Sequence, residues 1–200
     1  IGDEALKANS TGIKNTAVGK NSLYSNISGQ ENVGIGFEAL KNNTTGGYNT
    51  AVGVEANRSN SSGVLNTSVG FESLETNTSG SYNTAVGGRA LRYNSGSYNT
   101  ALGSNSLDAS GSGSYNTAVG TNSLSTNTTG SNNTALGSYS LNRNSTGSDN
   151  TATGRNSLYF NTTGSDNTAQ GSFALYSNTT GAQNTATGAG SLQSNTTGSN

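Results

Sequence analysis

Few side chains in this 200-residue chain could do chemistry, because it contains no His and no Cys. The missing Cys excludes disulfides, thiolate nucleophiles and Cys-ligated zinc, and acid–base work would depend on the ten carboxylates. Three of these, Glu38, Glu55 and Glu72, recur at intervals of seventeen residues. Stacked about 5 Å apart, they would repel one another and could take a bridging divalent cation. Screening by Lys41, Arg58 and solvent is the simpler interpretation, so we expect no metal, no cofactor and no enzymatic activity.

A second periodic group consists of Asn-x-Ser/Thr sequons, the acceptor sequence for N-linked glycans. Their functional interpretation is a row of glycans on an exposed turn. The simpler interpretation is that Asn-Thr-Thr-Gly is a good turn-forming sequence in any cell. Nine sequons that share one position of a recurring unit begin at Asn26, Asn43, Asn60, Asn77, Asn127, Asn144, Asn161, Asn178 and Asn195.

Tyrosines and threonines also recur in register. Exposed Tyr rings could stack on the sugar rings of a ligand, although stacking on one another along the chain is the plainer account. Rows of Thr such as Thr16, Thr50 and Thr67 suggest an ice-binding face, but such a face needs paired ranks, and the residue two places after each Thr is mostly aliphatic. The Tyr residues concerned are Tyr24, Tyr48, Tyr82, Tyr98, Tyr115, Tyr159 and Tyr176.

All of these residues belong to one seventeen-residue repeat, Asn-Thr-Ala-Val-Gly-x-x-Ser-Leu-x-x-Asn-Thr-Thr-Gly-x-x, in which we number the first Asn as position 1. The unit from Asn83 is sixteen residues long, and segment 1–14 fits positions 4 to 17 of a further unit. We treat 1–200 as a single tandem-repeat domain and expect it to be a window of a longer array. Its eleven full units begin at Asn15, Asn32, Asn49, Asn66, Asn83, Asn99, Asn116, Asn133, Asn150, Asn167 and Asn184.

The repeat predicts strands and turns. Helix is disfavoured by the recurring Gly and by the many Ser, Thr and Asn residues. Thr-Ala-Val ending in Gly reads as one short strand, and x-x-Ser-Leu before the Asn-Thr-Thr-Gly turn as a second. The Gly at positions 5 and 15 indicate corners where the backbone needs a positive φ or has no room for a Cβ. We therefore predict an all-β parallel β-solenoid, or β-roll, of about twelve rungs stacked at ~4.8 Å into a rod of roughly 55 Å.

Variation among the units sorts the interior from the surface. Positions 3, 8 and 9 hold small residues, Ser or Ala, and Leu, so we expect them inside, with Asn57 as an exception among the Leu residues that needs partners or an outward turn. Asn at positions 1 and 12 can form ladders of stacked amides. Position 4 follows a buried Ala in a strand and should face outward. We expect this outward stripe to be the interface of a homo-oligomer, a trimer or a filament, formed by Val18, Ile35, Val52, Val69, Val86, Leu102, Val119 and Leu136.

Composition excludes several other partners. With a net charge of -1 and a charged fraction of 10%, the chain lacks the basic face that binding to nucleic acid requires. No apolar run approaches the length of a spanning helix, so we expect no membrane insertion in this window. The segment Gly34-x-Gly36-x-x-Ala39 imitates a dinucleotide fingerprint, but no βαβ unit surrounds it.

The first nine residues of a unit, for instance 116–124, read Asn-Thr-Ala-Val-Gly-x-Asn-Ser-Leu. This motif resembles the head repeats of trimeric autotransporter adhesins, with the pattern Asn-Ser-Val-Ala-Ile-Gly-x-x-Ala-x-Ala, and is similar to NTAVG-type repeats of phage tail fibres and bacterial surface fibres. The resemblance implies a left-handed parallel β-roll, usually trimeric and displayed outside the cell. This chain departs from the pattern in its longer Asn-Thr-Thr-Gly turn, in the Leu at position 9, and in having one residue fewer before the Gly.

We therefore expect a non-enzymatic structural protein, located outside the cell, on its surface or in a virion fibre, that forms a rigid rod through homo-oligomeric contacts. The alternative is a module of a phage tail fibre or adhesin that binds glycans or a host surface. Recognition would favour irregular inserts, and only the shortened unit 83–98 and the Gly-Ser run 110–114 depart from the frame.

Overall fold

The computed structural model describes residues 1–199 and contains one three-residue strand in each full repeat. All eleven strands lie in a single parallel sheet in chain order, with equal repeat positions paired. The register holds across the sixteen-residue unit, where Ala85 pairs with Ala101. The predicted all-β parallel solenoid is thus confirmed. The strands are β1 Thr16–Val18, β2 Val33–Ile35, β3 Thr50–Val52, β4 Thr67–Val69, β5 Thr84–Val86, β6 Thr100–Leu102, β7 Thr117–Val119, β8 Thr134–Leu136, β9 Thr151–Thr153, β10 Thr168–Gln170 and β11 Thr185–Thr187.

The second predicted strand in each unit, x-x-Ser-Leu, is wrong. This stretch is a series of turns, because positions 7 and 9 adopt the left-handed conformation, as at Asn122 with φ 54° and Leu124 with φ 48°. The backbone still bonds from rung to rung, since Leu124 N–H donates to Ser140 O at 2.9 Å and Asn122 N–H to Ser104 O at 3.0 Å. A left-handed Leu costs about 1–2 kcal/mol, which its burial offsets.

Both invariant Gly positions have a steric reason. Gly120, at position 5, has φ 126°, and a Cβ there would lie 2.7 Å from the carbonyl carbon of Gly137 in the next rung. Gly130, at position 15, has no room for a Cβ, which would lie 2.8 Å from Asn144 Nδ2. The stacking of identical corners therefore fixes glycine at both.

The interior is narrow and consists of Ala at position 3, Ser or Ala at position 8 and Leu at position 9, as predicted. Asn57 interrupts the Leu column and divides the apolar core into two clusters, one reaching Ala56 and one starting at Leu74. Contrary to both expectations for it, Asn57 is fully buried and neither atom of its amide has a partner. Nine Leu side chains are fully buried, namely Leu23, Leu40, Leu74, Leu91, Leu107, Leu124, Leu141, Leu158 and Leu175.

Candidate functional site

The position-4 stripe lies on the outer face of the sheet, as predicted. Seven of its eight members are between 36% and 39% exposed, and Val52 is half-buried. Parallel pairing aligns each with the next, as Val69 with Val86, so the eight side chains form a continuous apolar row of roughly 34 Å. The row ends where Thr153, Gln170 and Thr187 occupy the same position.

The sequon row does not lie on an exposed turn. The side chains of Asn26, Asn43, Asn60, Asn77, Asn127, Asn144, Asn161 and Asn178 are fully buried, and Asn195 is half-buried. Each buried Nδ2 is hydrogen-bonded inside the coil, as in Asn144, whose Nδ2 donates to Asn127 Oδ1 and to Gly147 O, both at 2.8 Å. The functional interpretation, a row of glycans on an exposed turn, therefore does not fit these eight, because the folded coil leaves their Nδ2 atoms no room for a glycan.

A second ladder is formed by Asn at position 1, and it converges with the first. Asn133 Nδ2 donates to Gly147 O at 2.9 Å, so the carbonyl of Gly147 accepts one bond from each ladder. Asn133 also accepts the backbone N–H of Asn150 at 3.0 Å. The predicted ladders are thus confirmed, and the two columns of Asn satisfy the backbone at the corner as well as each other.

The ladders have one weak rung. Position 12 is Ser110 in the unit from Asn99, and its Oγ donates to Asn94 Oδ1 at 2.9 Å. Asn127 in the following rung then bonds only to Gly130 O through its Nδ2, at 2.7 Å. A shorter side chain therefore interrupts the amide column without leaving the preceding Asn unsatisfied.

The carboxylates of the predicted cluster are neutralised by cations of this chain. Lys41 Nζ lies 2.7 Å from Glu38 Oε1, Arg58 Nη1 lies 3.4 Å from Glu55 Oε2, and Arg89 Nε lies 3.0 Å from Glu72 Oε2. The hydrogen bond from Lys41 holds the pKa of Glu38 below its usual value, although burial opposes this. Within residues 1–199 no three ligating side chains come together in a way that could hold a metal ion.

A bidentate pair extends this ionic face. Arg92 Nε and Nη2 lie 2.9 and 3.2 Å from the two carboxylate oxygens of Asp108, in the neighbouring rung, and the guanidinium stacks 4.2 Å above the ring of Tyr93. Burial raises the pKa of Asp108 even though Arg92 favours its charged form. The ion pairs between rungs could not be read from the spacing of the acidic residues alone, because the matching cations alternate between positions 7 and 10.

Further along the same positions, aromatic residues replace the ions. Tyr139 and Phe173 stand at position 7 and Tyr159 and Tyr176 at position 10, and the rings of Tyr159 and Tyr176 stack at 5.4 Å. The three tyrosines border an open cleft of about 440 Å³, which is lined by Ser138, Tyr139, Arg155, Asn156, Tyr159 and Tyr176. Of these residues, only Tyr159 and Tyr176 are among the recurring tyrosines named from the sequence. Tyr139 could also be found there, because aromatic residues occupy position 7 or 10 in successive rungs, but the repeat gives no signal for Ser138, Arg155 or Asn156.

The tyrosines at position 17 stack on one another. The ring centroids of Tyr82 and Tyr98 lie 4.8 Å apart and those of Tyr98 and Tyr115 4.9 Å apart, with interplanar angles of 5° and 2°. The plainer account of this row is therefore confirmed for these three residues.

No protein-family model, curated protein or solved structure matches this chain. The fold places it in the class of parallel β-solenoids. In the part of the chain that the structure describes, no helix has the length and apolar character needed to cross a membrane.

Proposed function

We propose that this chain is a non-enzymatic structural protein that forms a stiff rod and associates side by side with further copies through the position-4 stripe. The single observation that carries the proposal is the continuous outward row of Val, Ile and Leu along eight consecutive rungs. Scattered apolar residues on a surface need no partner, but a continuous row in register is typical of an interaction surface.

Stiffness follows from the way the rungs are joined. The rungs bond to their neighbours through the strands, through the turns and through two buried Asn ladders, one of which is interrupted between Ser110 and Asn127. Bending the rod would stretch several of these columns of hydrogen bonds at once, although each strand is only three residues long. Length and rigidity therefore arise from repetition, as in other solenoids.

Self-association suits the stripe because it is repetitive and contains no charged residue. All eight of its side chains are Val, Ile or Leu, so two or three identical stripes can face one another around a symmetry axis with the same side chains in contact. The first nine residues of the repeat resemble those of trimeric surface fibres, which also favours a location outside the cell, on its surface or in a virion fibre. Antibody labelling of intact producing cells or virions tests this location, and labelling only after lysis would contradict it.

The oligomer is tested with substitutions that the chain itself uses. Thr occupies position 4 in β9 and β11, so the triple variant Val69→Thr, Val86→Thr, Val119→Thr keeps a residue that the coil accepts. We expect multi-angle light scattering to give a multiple of 20.0 kDa for the unchanged chain and a lower multiple, or the monomer, for the variant.

A matched control carries the same chemical change elsewhere. Ile27, at position 13, is 49% exposed, and Thr occupies that position in other units, so Ile27→Thr should leave the mass unchanged. A monomer for the unchanged chain at all concentrations, or equal masses for the chain and the triple variant, would contradict the proposal.

A further inference from the structure

The aromatic cleft differs from the rest of the surface because the cations beside it form no ion pairs with carboxylates in the described part of the chain. The chain has nine Lys and Arg residues, and seven of them form ion pairs with carboxylates. Arg143 and Arg155 form none within residues 1–199, and neither guanidinium donates a hydrogen bond there. Both lie beside the aromatic cluster, so the unpaired positive charge of the rod is concentrated at one place.

These two guanidinium groups are held by stacking. The central carbon of the Arg155 guanidinium lies 4.8 Å from the ring centre of Phe173, and that of Arg143 lies 4.9 Å from the ring centre of Phe160. Stacking orients a guanidinium while leaving its in-plane N–H donors free. A planar fork of free donors is the geometry that binds a carboxylate through two parallel hydrogen bonds.

The rest of the cleft offers apolar faces and neutral polar groups. Tyr139 is 40% exposed, and its ring centre lies 6.4 Å from that of Tyr159, at an interplanar angle of 44°. Ser138 and Asn156 add a hydroxyl and an amide to the lining. The volume of about 440 Å³ falls within the range of small-molecule sites. Tyr and Arg are also the residues that contribute most often to binding energy at interfaces.

We propose that this cleft binds an acidic saccharide. Arg155 pairs with the carboxylate of the sugar, the Tyr139 and Tyr159 rings contact the apolar faces of its rings, and Ser138 and Asn156 hydrogen-bond to hydroxyl groups. A nucleic acid would need several cations in a row, and only one guanidinium lines the cleft. The proposal does not require the oligomer, because all of the residues that line the cleft come from one chain.

The test is a titration of the 200-residue chain with two acidic probes, trigalacturonate and sialyllactose, followed by calorimetry. Their neutral counterparts, galactotriose and lactose, serve as matched ligands, and acetate reports binding of a bare carboxylate. We expect at least one acidic probe to bind about tenfold more tightly than its neutral counterpart and than acetate, as a charge-assisted pair combined with ring contacts requires.

Variants use residues that other rungs carry at the same positions. Arg155→Ser, as in Ser138 and Ser172, should weaken binding of the acidic probe about tenfold and remove its advantage over the neutral one. Tyr139→Asn, as in Asn122, should weaken both probes several-fold. Lys20→Ser, at the same position as Arg155 in another rung, and Tyr98→Asn, in the position-17 stack, are controls that should bind as the unchanged chain does.

Four outcomes would overturn the proposal. They are no binding of either acidic probe up to about 10 mM, equal binding of acidic and neutral probes, unchanged binding by Arg155→Ser, or equally tight binding of a hexaglutamate peptide, which would assign the cleft to acidic proteins. Circular dichroism of each variant, together with its molecular mass, separates loss of the site from loss of the fold or of the oligomer.

Discussion

Asn57 is the residue at which the packing of the Leu column is interrupted. Leu fits the same left-handed backbone in nine other rungs as a fully buried side chain, while Asn57 buries an amide with no partner. Its one advantage is that Asn tolerates the left-handed region better than Leu does. The sequence identified the exception, but only the structure shows that neither escape, a partner or an outward turn, is taken.

We predict that Asn57→Leu stabilises the chain. The new Leu joins the two apolar clusters, which should contribute about 1.5–3 kcal/mol, and removal of the unpaired amide adds about 1–3 kcal/mol. The left-handed backbone subtracts about 1–2 kcal/mol, so the free energy of unfolding in guanidinium should rise by about 0.5–5 kcal/mol. The matched variant Leu124→Asn should lower it by a similar amount, and a destabilised Asn57→Leu would show that this amide is satisfied in solution.

The buried Asn ladder makes a second prediction at this scale. Asn144→Asp replaces an amide that donates two bonds by a group that donates none, and places a charge in the interior, so the chain should lose more than about 3 kcal/mol at pH 7. Asn144→Ser, which introduces the residue that Ser110 provides at the same position, should cost only about 1–2 kcal/mol. Urea unfolding of both variants checks this. If both variants were as stable as the unchanged chain, the ladder would contribute nothing to the stability.

At the scale of the element, the rung was predictable only in part. Eleven strands in one parallel sheet follow from the period and from Thr-Ala-Val-Gly, because three alternating residues before an invariant Gly suit little else. The predicted strand at x-x-Ser-Leu is wrong because positions 7 and 9 are left-handed and form turns. These turns bury both Ser at position 8 and Leu at position 9, whereas a strand would place them on opposite faces. Nothing in residue type distinguishes the two, since Leu is rare in left-handed backbone.

The corner at position 5 can be tested by separating backbone strain from crowding. Gly120→Ala should cost several kcal/mol, because Ala is strained at φ 126° and its Cβ meets the backbone of Gly137. At Gly188, with φ 115° but nothing within 4 Å, Ala should pay the strain of about 1–3 kcal/mol alone. Gly88→Ala, with neither problem, should change the stability by less than about 0.5 kcal/mol. Thermal unfolding of the three variants checks this order, and a reversed order would disprove the stacked corner.

The ionic face predicts a dependence of stability on pH. Because pairing with Lys41 lowers the pKa of Glu38 in the folded chain, this carboxylate stabilises the fold above the ordinary Glu pKa and loses that contribution as the pH falls through the folded value. Glu38→Gln should therefore flatten the loss of stability below about pH 4.5, by an amount on the order of 1 kcal/mol or less. Urea unfolding between pH 7 and pH 3 measures it.

The chain offers a control for this loss of stability at low pH. Asp149→Asn changes a carboxylate that forms no ion pair in the described part of the chain, and Asn132 shows that position 17 accepts Asn. The flattening is expected for Glu38→Gln and not for this control, because it depends on the ion pair with Lys41. If Glu38→Gln and Asp149→Asn behaved alike, the pairing of Glu38 would contribute nothing to the pH dependence.

On the scale of the whole molecule, the coil is uniform inside and divided outside. The Ala, Leu and Asn columns run along the rod with interruptions at Asn57 and Ser110, while the outer positions change from apolar and ionic in the first eight rungs to Thr, Gln and aromatic in the last ones. The uniform columns could be read from the repeat because every rung imposes the same packing. The cleft could not, because it depends on which outer side chains meet across three rungs.

The measurement that tests the central proposal most directly is the mass per unit length of the particle in solution, from small-angle scattering or scanning transmission microscopy. A single coil carries seventeen residues per rung and advances ~4.8 Å per rung. End-to-end stacking would lengthen the particle without changing this ratio, whereas contact through the stripe multiplies it. We predict a ratio two or more times that of one coil, falling to a lower multiple or to the single-coil value in the Val69→Thr, Val86→Thr, Val119→Thr variant. A single-coil ratio for the unchanged chain at every concentration would contradict the account.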